Sequence, residues 1–210
     1  MKYINITKAS KEAIALIAKE VAKDLSNGKT VVFPTETVYG LACDMLNDEA
    51  VNRVYEIKGR NKNKPLPVMI GNVKDSEFVA EQIPAVFYDI AEKYMPGAVT
   101  AVLKKKESVS DLITGGLDTV GVRMPDHDLA LSMIRFLGHP IIATSANLSG
   151  NPSPKDFSEA LKDLKDRCDV FVDGGRCAEG VPSTIIDLSG ENIKILRQGE
   201  LDLNEYIKEK

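Results

Sequence analysis

The chain has 210 residues, of which 43% are hydrophobic and 28% are charged, with a formal net charge of -4 at pH 7. This composition is typical of a globular domain with one core and excludes a disordered segment. The acidic pI of about 5.4 argues against a generic nucleic-acid binder. The sequence contains no run of 18 apolar residues, so it predicts no membrane-spanning helix.

The N-terminus and the cysteines both indicate a protein that is not exported. Charged residues interrupt the first twenty positions, and the three cysteines form no C-x-x-C pair. The two histidines, His127 and His139, lie far apart without clustered metal-ligand partners, so we expect no zinc site. The sequence predicts a soluble, intracellular protein of the cytoplasm.

Helices are predicted from apolar residues at helical spacing. The first follows Ser10, a good N-cap residue, and ends near Gly28, a residue typical of helix C-termini. Further helices are predicted over residues 48–58, 84–94, 126–137 and about 154–164.

Strands are predicted from short β-rich runs between these helices. The runs cover residues 29–33, 66–70, 99–103, 119–124, 140–144, 170–172, 184–188 and 193–196. Strands that alternate with helices predict one α/β domain over residues 1–210, with its core at about 10–197 and no additional C-terminal domain. Some connections are too short for crossover helices, so we expect a twisted, mixed sheet, whose strand order stays open.

Loops that follow predicted strands are rich in hydroxyl, glycine or basic residues. They cover residues 34–40, 115–119, 144–150 and 173–183. Such loops often form the sites of α/β proteins, although each taken alone is more typical of a simple turn.

Familiar nucleotide and nucleophile motifs are absent. Gly28-Lys29-Thr30 resembles the end of a phosphate loop, but Lys23 stands where that motif needs glycine, and a helix precedes a strand here. Neither G-x-G-x-x-G nor G-x-S-x-G occurs, so Ser145 is not an obvious acyl nucleophile.

A basic segment at residues 58–64 places Lys58, Arg60, Lys62 and Lys64 at the end of a predicted helix. Glycine and asparagine between them favour a loop in which the cations converge, as a polyphosphate would require. The alternative is a solvated face that complements the helix dipole.

A polar segment at residues 144–150 carries three hydroxyls and the amide of Asn147. Neutral donors of this kind suit phosphate or ribose oxygens. The alternative is a helix cap or a turn.

Several motifs resemble, in order and spacing, the YrdC-like threonylcarbamoyl-AMP synthase family. The matching stretches are Phe33-Pro-Thr-Glu-Thr-Val-Tyr-Gly-Leu41, Lys58-Gly-Arg60 with Pro65-Leu66, Pro96-Gly97 with Thr100, Gly121-Val-Arg-Met-Pro125, Ala143-Thr-Ser-Ala-Asn-Leu-Ser-Gly150, Pro182-Ser-Thr-Ile185 with Asp187, and Ile195-Leu-Arg-Gln-Gly199. Together they extend from about residue 10 to residue 197.

The resemblance implies a nucleotidyltransferase with an α/β fold and an open, basic concave face. Such an enzyme converts L-threonine, bicarbonate and ATP into L-threonylcarbamoyladenylate and pyrophosphate. Its partners are the threonylcarbamoyl-transferase machinery that modifies adenosine 37 of tRNAs reading codons that begin with A, with weak tRNA or RNA binding as a further expectation.

The resemblance also assigns site residues. The family signature falls on four residues expected to be catalytic: Lys58, Arg60, Ser145 and Asn147. The expected ATP contacts are Arg60, Lys64, Thr119, Ser145, Ser153 and Arg197. The expected threonine contacts are Thr37, Arg123, the backbone of Ala143, and Ser183. Arg123 has the alternative of a surface ion-pair residue.

Two features depart from the family. Met69 occupies a position where some members have a histidine near the amino acid, so the resemblance assigns no role to this position. Longer members carry an additional C-terminal domain whose linker can close over the site, and this sequence ends at Lys210.

The implied reaction needs no strong protein base. An N-carboxylate of threonine would attack the α-phosphorus of ATP, and cations and neutral donors would position the reactants and stabilise charge. We expect Mg²⁺ to enter with ATP, no protein metal site and no organic cofactor. One alternative function is a non-catalytic RNA-binding module, which is disfavoured because residues 58–64 contain no aromatic residue for base stacking. A second alternative is a carbamoyl-transfer domain like those of hydrogenase-maturation enzymes. Those enzymes use additional zinc-binding domains.

Overall fold

The computed structural model describes residues 1–208. Its ten strands are β1 (Lys2–Asn5), β2 (Val31–Phe33), β3 (Gly40–Asp44), β4 (Val68–Met69), β5 (Val99–Lys104), β6 (Thr119–Arg123), β7 (Ile141–Ser145), β8 (Val170–Asp173), β9 (Thr184–Asp187) and β10 (Lys194–Arg197). The helices are α1 (Lys11–Ser26), α2 (Asp48–Lys58), α3 (Ser76–Val79), α4 (Ala85–Tyr94), α5 (Asp111–Thr114), α6 (Asp128–Leu137), α7 (Phe157–Leu164) and α8 (Asn204–Lys208), with a 3-10 turn at Val73–Asp75. Among the described residues, every helix is too short or too polar to span a bilayer.

All ten strands form one sheet in the order β1-β8-β2-β3-β7-β4-β6-β5-β9-β10. Pairs such as β1 with β8 and β4 with β6 are parallel, whereas β3 with β7 and β5 with β6 are antiparallel. The mixed α/β fold predicted from the sequence is therefore confirmed.

Helices cover the two faces of the sheet unequally. One face packs against α2, α4 and α7 through a large core that includes Tyr55, Phe87 and Leu164. On the other face, α1 and α6 bury residues such as Leu25 and Met133 over β2, β3, β7 and β8. The remaining part of this second face, from β4 to β10, carries the residues that line a cavity.

The predicted helices form where capping chemistry allows. Ser10 Oγ accepts a hydrogen bond from the Ala13 N–H at 3.2 Å, which begins α1 as expected. The helix predicted from residue 154 begins only at Phe157, because Asp156 accepts from the Glu159 N–H and acts as its N-cap. The helix predicted from residue 126 begins at Asp128, after the N-cap residue His127, whose side chain makes no capping hydrogen bond.

The strands of the structure differ from the predicted ones at three places. The run at residues 66–70 is reduced to Val68–Met69, since Pro67 has no N–H to donate to a ladder. No strand was predicted at residues 40–44, yet they form β3 in the middle of the sheet, beginning at the last residue of the predicted loop at 34–40. The short β1 was not predicted, and it pairs in parallel with β8.

Candidate active site

A cavity of about 370 Å³ lies over the part of the sheet that α1 and α6 leave uncovered. Alternate residues of β6, namely Thr119, Gly121 and Arg123, face this cavity, whereas Val120 and Val122 between them face the helical core. Most of the predicted site residues line it: Arg60, Thr119, Arg123, Ala143, Ser145, Ser153, Ser183 and Arg197. Their convergence comes from several strands and the loops that follow them.

Arg123 is a buried cation, with a relative exposure of 6%. Its Nη2 donates to Glu36 Oε1 at 2.8 Å and to Thr37 Oγ1 at 2.7 Å, and its Nε donates to the Gly97 carbonyl at 3.3 Å. The alternative of a surface ion-pair residue is therefore wrong, because Arg123 is buried and the side chain of its partner Glu36 is only 9% exposed.

Arg197 approaches the same cavity from β10. Its Nε and Nη2 donate to the Ser183 carbonyl at 3.1 and 2.7 Å, and the Ser183 and Thr100 hydroxyls are hydrogen-bonded at 2.8 Å. Burial, and then the charge of Arg123, lowers the pKa of Arg197. The two guanidinium groups thus repel one another, so the cavity favours an anionic ligand.

Close backbone packing holds Arg197 beside Ser183. Two residues after Arg197, a Cβ at Gly199 would overlap the Pro182 carbonyl oxygen and the backbone of Ser183. Only glycine allows this approach, which explains the glycine at the end of the Ile195 to Gly199 stretch.

Arg60 lines the cavity next to the C-terminus of α2. Gly59, with φ of +56°, ends that helix in the left-handed conformation and turns the chain. The Arg60 Nε and Nη2 groups then donate to the carbonyls of Lys64 and Pro65 at 3.3 and 2.9 Å. These contacts fix the plane of the guanidinium group at the cavity wall.

The other cations of the basic segment do not converge on the cavity. Lys62 and Lys64 are exposed and do not line it. Lys58 is only 2% exposed, so it does not belong to a solvated face either. The predicted grouping of four cations is thus reduced to Arg60 at the cavity wall, because Lys58 contacts Ser145 and Asn147, Lys62 donates to Asn52, and Lys64 lies outside the cavity lining.

The Lys58 ammonium instead holds the segment that follows β7. Its Nζ donates to the Ser145 carbonyl, to the Asn147 carbonyl at 2.8 Å and to Asn147 Oδ1 at 3.5 Å. Burial, followed by the charge of Arg60, lowers the pKa of Lys58 to about 7. The segment is not a helix cap, and Lys58 contacts the backbone that carries Ser145.

Asn147 and Thr37 also act on neighbouring groups and do not line the cavity. The Asn147 amide donates to the carbonyls of Leu148 and Asn151 at 2.9 and 2.8 Å, which closes the turn. Thr37 is fully buried and binds Arg123.

Some residues at the cavity were not predicted as site residues. Leu117 and Leu196 remain exposed there, with relative exposures of 47% and 57%, and offer apolar surface beside the polar groups. Glu36, the ion-pair partner of Arg123, was missed although it lies between two threonines of a matching motif, since nothing in the sequence pairs it with Arg123. Met69, the residue that departs from the family, lines the cavity and is buried against the α1 and α6 core.

The family model and the similar proteins all indicate the same family. The Sua5/YciO/YrdC family model, described as "Telomere recombination", matches residues 23–199. A threonylcarbamoyl-AMP synthase of Pyrococcus abyssi is 44% identical over 184 residues, which are 88% of this chain and 54% of that protein. A putative threonylcarbamoyl-AMP synthase of Methanocaldococcus jannaschii is 33% identical over 209 residues, covering 99% of this chain and 97% of that protein.

Solved structures of proteins with these family names have the same fold as this chain. The structure of P. abyssi Sua5 complexed with L-threonine has a TM-score of 0.92 and 41% identity, covering 99% of this chain and 60% of that one. E. coli YciO, at 22% identity over 97% of both chains, shares the fold with a TM-score of 0.83. The chain spans about half the length of the first two curated relatives, from P. abyssi and Bacillus subtilis. By family match, relatives and fold, this chain belongs to the Sua5/YciO/YrdC family.

Proposed function

We propose that the protein is a threonylcarbamoyl-AMP synthase, a nucleotidyltransferase that converts L-threonine, bicarbonate and ATP into L-threonylcarbamoyladenylate, pyrophosphate and water. The observation that carries this proposal is the cavity in which Arg60, Arg123 and Arg197 meet several hydroxyl groups. Support comes from the relatives named threonylcarbamoyl-AMP synthase and from the Sua5 structure complexed with L-threonine.

Threonine would bind at the Arg123 side of the cavity. Arg123 would donate charge-assisted hydrogen bonds to the substrate carboxylate. The backbone of Ala143 and the hydroxyl of Ser183 would bind the other polar groups, while the buried Thr37 would act by holding Arg123.

ATP would bind along the rest of the cavity. The proposed contacts within the cavity are Arg60, Thr119, Ser145, Ser153 and Arg197. Lys64 does not line the cavity, so it could meet only a part of ATP that extends beyond it. Arginine's fixed fork of donors suits phosphate oxygens. Leu117 and Leu196 would give a planar base apolar surface, because both are exposed at the cavity. A full-length HypF structure in the phosphate- and nucleotide-bound form is 30% identical to this chain with a TM-score of 0.75, and the match covers 87% of this chain and 29% of HypF.

The residues present do not fit a dedicated site for magnesium. Among residues 1–208 no group of three or more histidine, cysteine or acidic side chains could hold a metal ion, and the described lining of the cavity contains no carboxylate. We therefore propose that Mg²⁺ enters on the phosphate oxygens of ATP as part of that substrate.

The chemistry would rest on positioning and charge stabilisation. Threonine and bicarbonate give an N-carboxylate with loss of water; its oxygen attacks the α-phosphorus, and the bond to the β-phosphate breaks to release pyrophosphate. Arg60 and Arg197 would stabilise charge that moves to the departing pyrophosphate. Lys58 and Asn147 would act through the Ser145 segment, since neither lines the cavity.

The product would serve the machinery that modifies adenosine 37 of tRNAs reading codons that begin with A, in the cytoplasm. The RNA-binding alternative gains no support from the cavity. Tyr39, the aromatic residue among its described lining, uses its hydroxyl to bind the Gly174 and Gly175 backbone.

The test is pyrophosphate release from ATP and Mg²⁺ with threonine and bicarbonate supplied separately and together, in buffers freed of carbon dioxide. We expect release only when both are present, together with an adenylate that incorporates ¹³C from labelled bicarbonate. Equal turnover with either substrate omitted would contradict the proposed reaction.

A further inference from the structure

The acidic partner of Arg123 lies behind the cavity and does not line it. Glu36 and Arg123 form an ion pair at 2.8 Å in which the side chains are 9% and 8% exposed. Glu36 Oε1 accepts from Arg123, whereas Oε2 is buried without a hydrogen-bond partner among the described residues. The carboxylate is therefore committed to Arg123.

The loop between β2 and β3 fixes the position of this carboxylate. Thr35 Oγ1 donates to the Val38 carbonyl at 2.6 Å and accepts from the N–H groups of Thr37 and Val38 at 3.3 Å. From the other side, the Glu179 N–H donates to the Glu36 carbonyl at 2.9 Å. The backbone of Glu36 is thus held on both sides.

The contacts of Arg123 leave one nitrogen for a ligand. Its Nη2 and Nε are occupied by Glu36, Thr37 and the Gly97 carbonyl. For Nη1, the described part of the chain supplies no acceptor, and Arg123 lines the cavity. A guanidinium group is planar, so two occupied nitrogens fix the direction of the third.

We propose that Glu36 is a positioning residue that orients Arg123 so that Nη1 meets the carboxylate of the amino-acid substrate, an inference that rests on the proposed function. Glu36 would favour threonine binding through the orientation that it gives to the guanidinium group, not through its charge. The negative charge of Glu36 opposes a second carboxylate at Arg123, so the charge itself weakens substrate binding while the hydrogen bond at Oε1 fixes the guanidinium plane.

Two substitutions separate geometry from charge. Glu36→Gln keeps the reach and an acceptor oxygen but removes the charge, whereas Glu36→Asp keeps the charge and withdraws the oxygen by about one C–C bond, roughly 1.5 Å. We expect Glu36→Gln to bind threonine within about threefold of wild type and Glu36→Asp to bind it on the order of tenfold more weakly, with ATP binding unchanged in both. Glu179→Gln and Glu179→Asp are matched controls at an exposed neighbour.

Calorimetric titration with threonine gives these affinities without turnover, and steady-state pyrophosphate release should show the change in KM for threonine with kcat nearly constant. Equal losses in the two variants, a larger loss in Glu36→Gln, or no loss in Glu36→Asp would overturn the inference.

A second readout does not depend on activity. The Arg123 Nε–H bound to the Gly97 carbonyl should give a protected ¹⁵N-correlated NMR signal, assigned by its absence in Arg123→Lys. It should persist in Glu36→Gln and be lost in Glu36→Asp while the backbone spectrum stays folded. If this signal survives in Glu36→Asp, the positioning role of Glu36 is refuted, whether or not the protein releases pyrophosphate. If the signals behave as expected but the protein releases no pyrophosphate, the proposed function is refuted and the positioning role of Glu36 stands.

Discussion

Replacing Lys58 by methionine tests how the burial of its amino group affects stability. Lys58 is 2% exposed, and its Nζ contacts oxygens of Ser145 and Asn147. Methionine has a similar length and no charge, so it removes the ammonium while filling most of its volume.

The effect on stability should depend on pH, with a sign fixed by the pKa. Burial lowers the pKa of Lys58 from 10.5 to about 7 in the folded protein. Between these values the unfolded chain binds more protons than the folded one, so stability due to Lys58 rises with pH. That contribution is complete above the unfolded pKa and is lost as the pH falls through about 7.

The size of the effect follows from the same shift. One pH unit within this window changes the free energy of unfolding by at most about 1.4 kcal/mol. The stability of wild type minus that of Lys58→Met should therefore increase by about 2 kcal/mol from pH 7 to pH 9. The lost hydrogen bonds to carbonyls add an offset that does not depend on pH.

Guanidinium chloride unfolding at pH 7, 8 and 9, at constant ionic strength, measures this difference. Lys62→Met is the matched control, because Lys62 is an exposed lysine of the same segment. A wild-type minus Lys58→Met difference that stays constant with pH would refute the argument that burial depresses the pKa of Lys58.

Other substitutions test the cavity residues. Arg123→Ala should weaken threonine binding by about 1.5–3 kcal/mol with ATP binding unchanged, and unchanged threonine affinity in calorimetry would exclude the carboxylate contact. Arg60→Lys keeps the charge but loses the fork that binds two carbonyls, so kcat should fall about tenfold or more with a nearly normal melting temperature, whereas a wild-type kcat would contradict the phosphate role. Thr100→Val removes the hydroxyl bonded to Ser183 and should lower stability by about 1 kcal/mol in denaturant unfolding; an unchanged midpoint would count against that bond.

Local sequence patterns by themselves determined much of the fold. Apolar spacing and capping residues predicted α1, α2, α4 and α6 to within about two residues. Period-two alternation in β6 also separates core residues from cavity residues, because successive side chains of a strand point to opposite faces. The ordered motifs correctly indicated the family, and most of the predicted site residues line the cavity.

Tertiary structure alone decided which polar groups meet. The sequence could not assign Lys58 to the Ser145 carbonyl or Glu36 to Arg123, because 87 residues separate the partners of each pair. Strand order and β3 were also beyond local reasoning, since both depend on pairing between distant segments. The spacing of residues in the sequence predicts which side of a helix or strand a side chain occupies. The residues that it contacts on that side depend on how the strands pair and how the loops pack. For that reason the sequence indicated the basic and polar residue types of this cavity, and only the folded chain determined which of the cations line it and which hold the surrounding backbone.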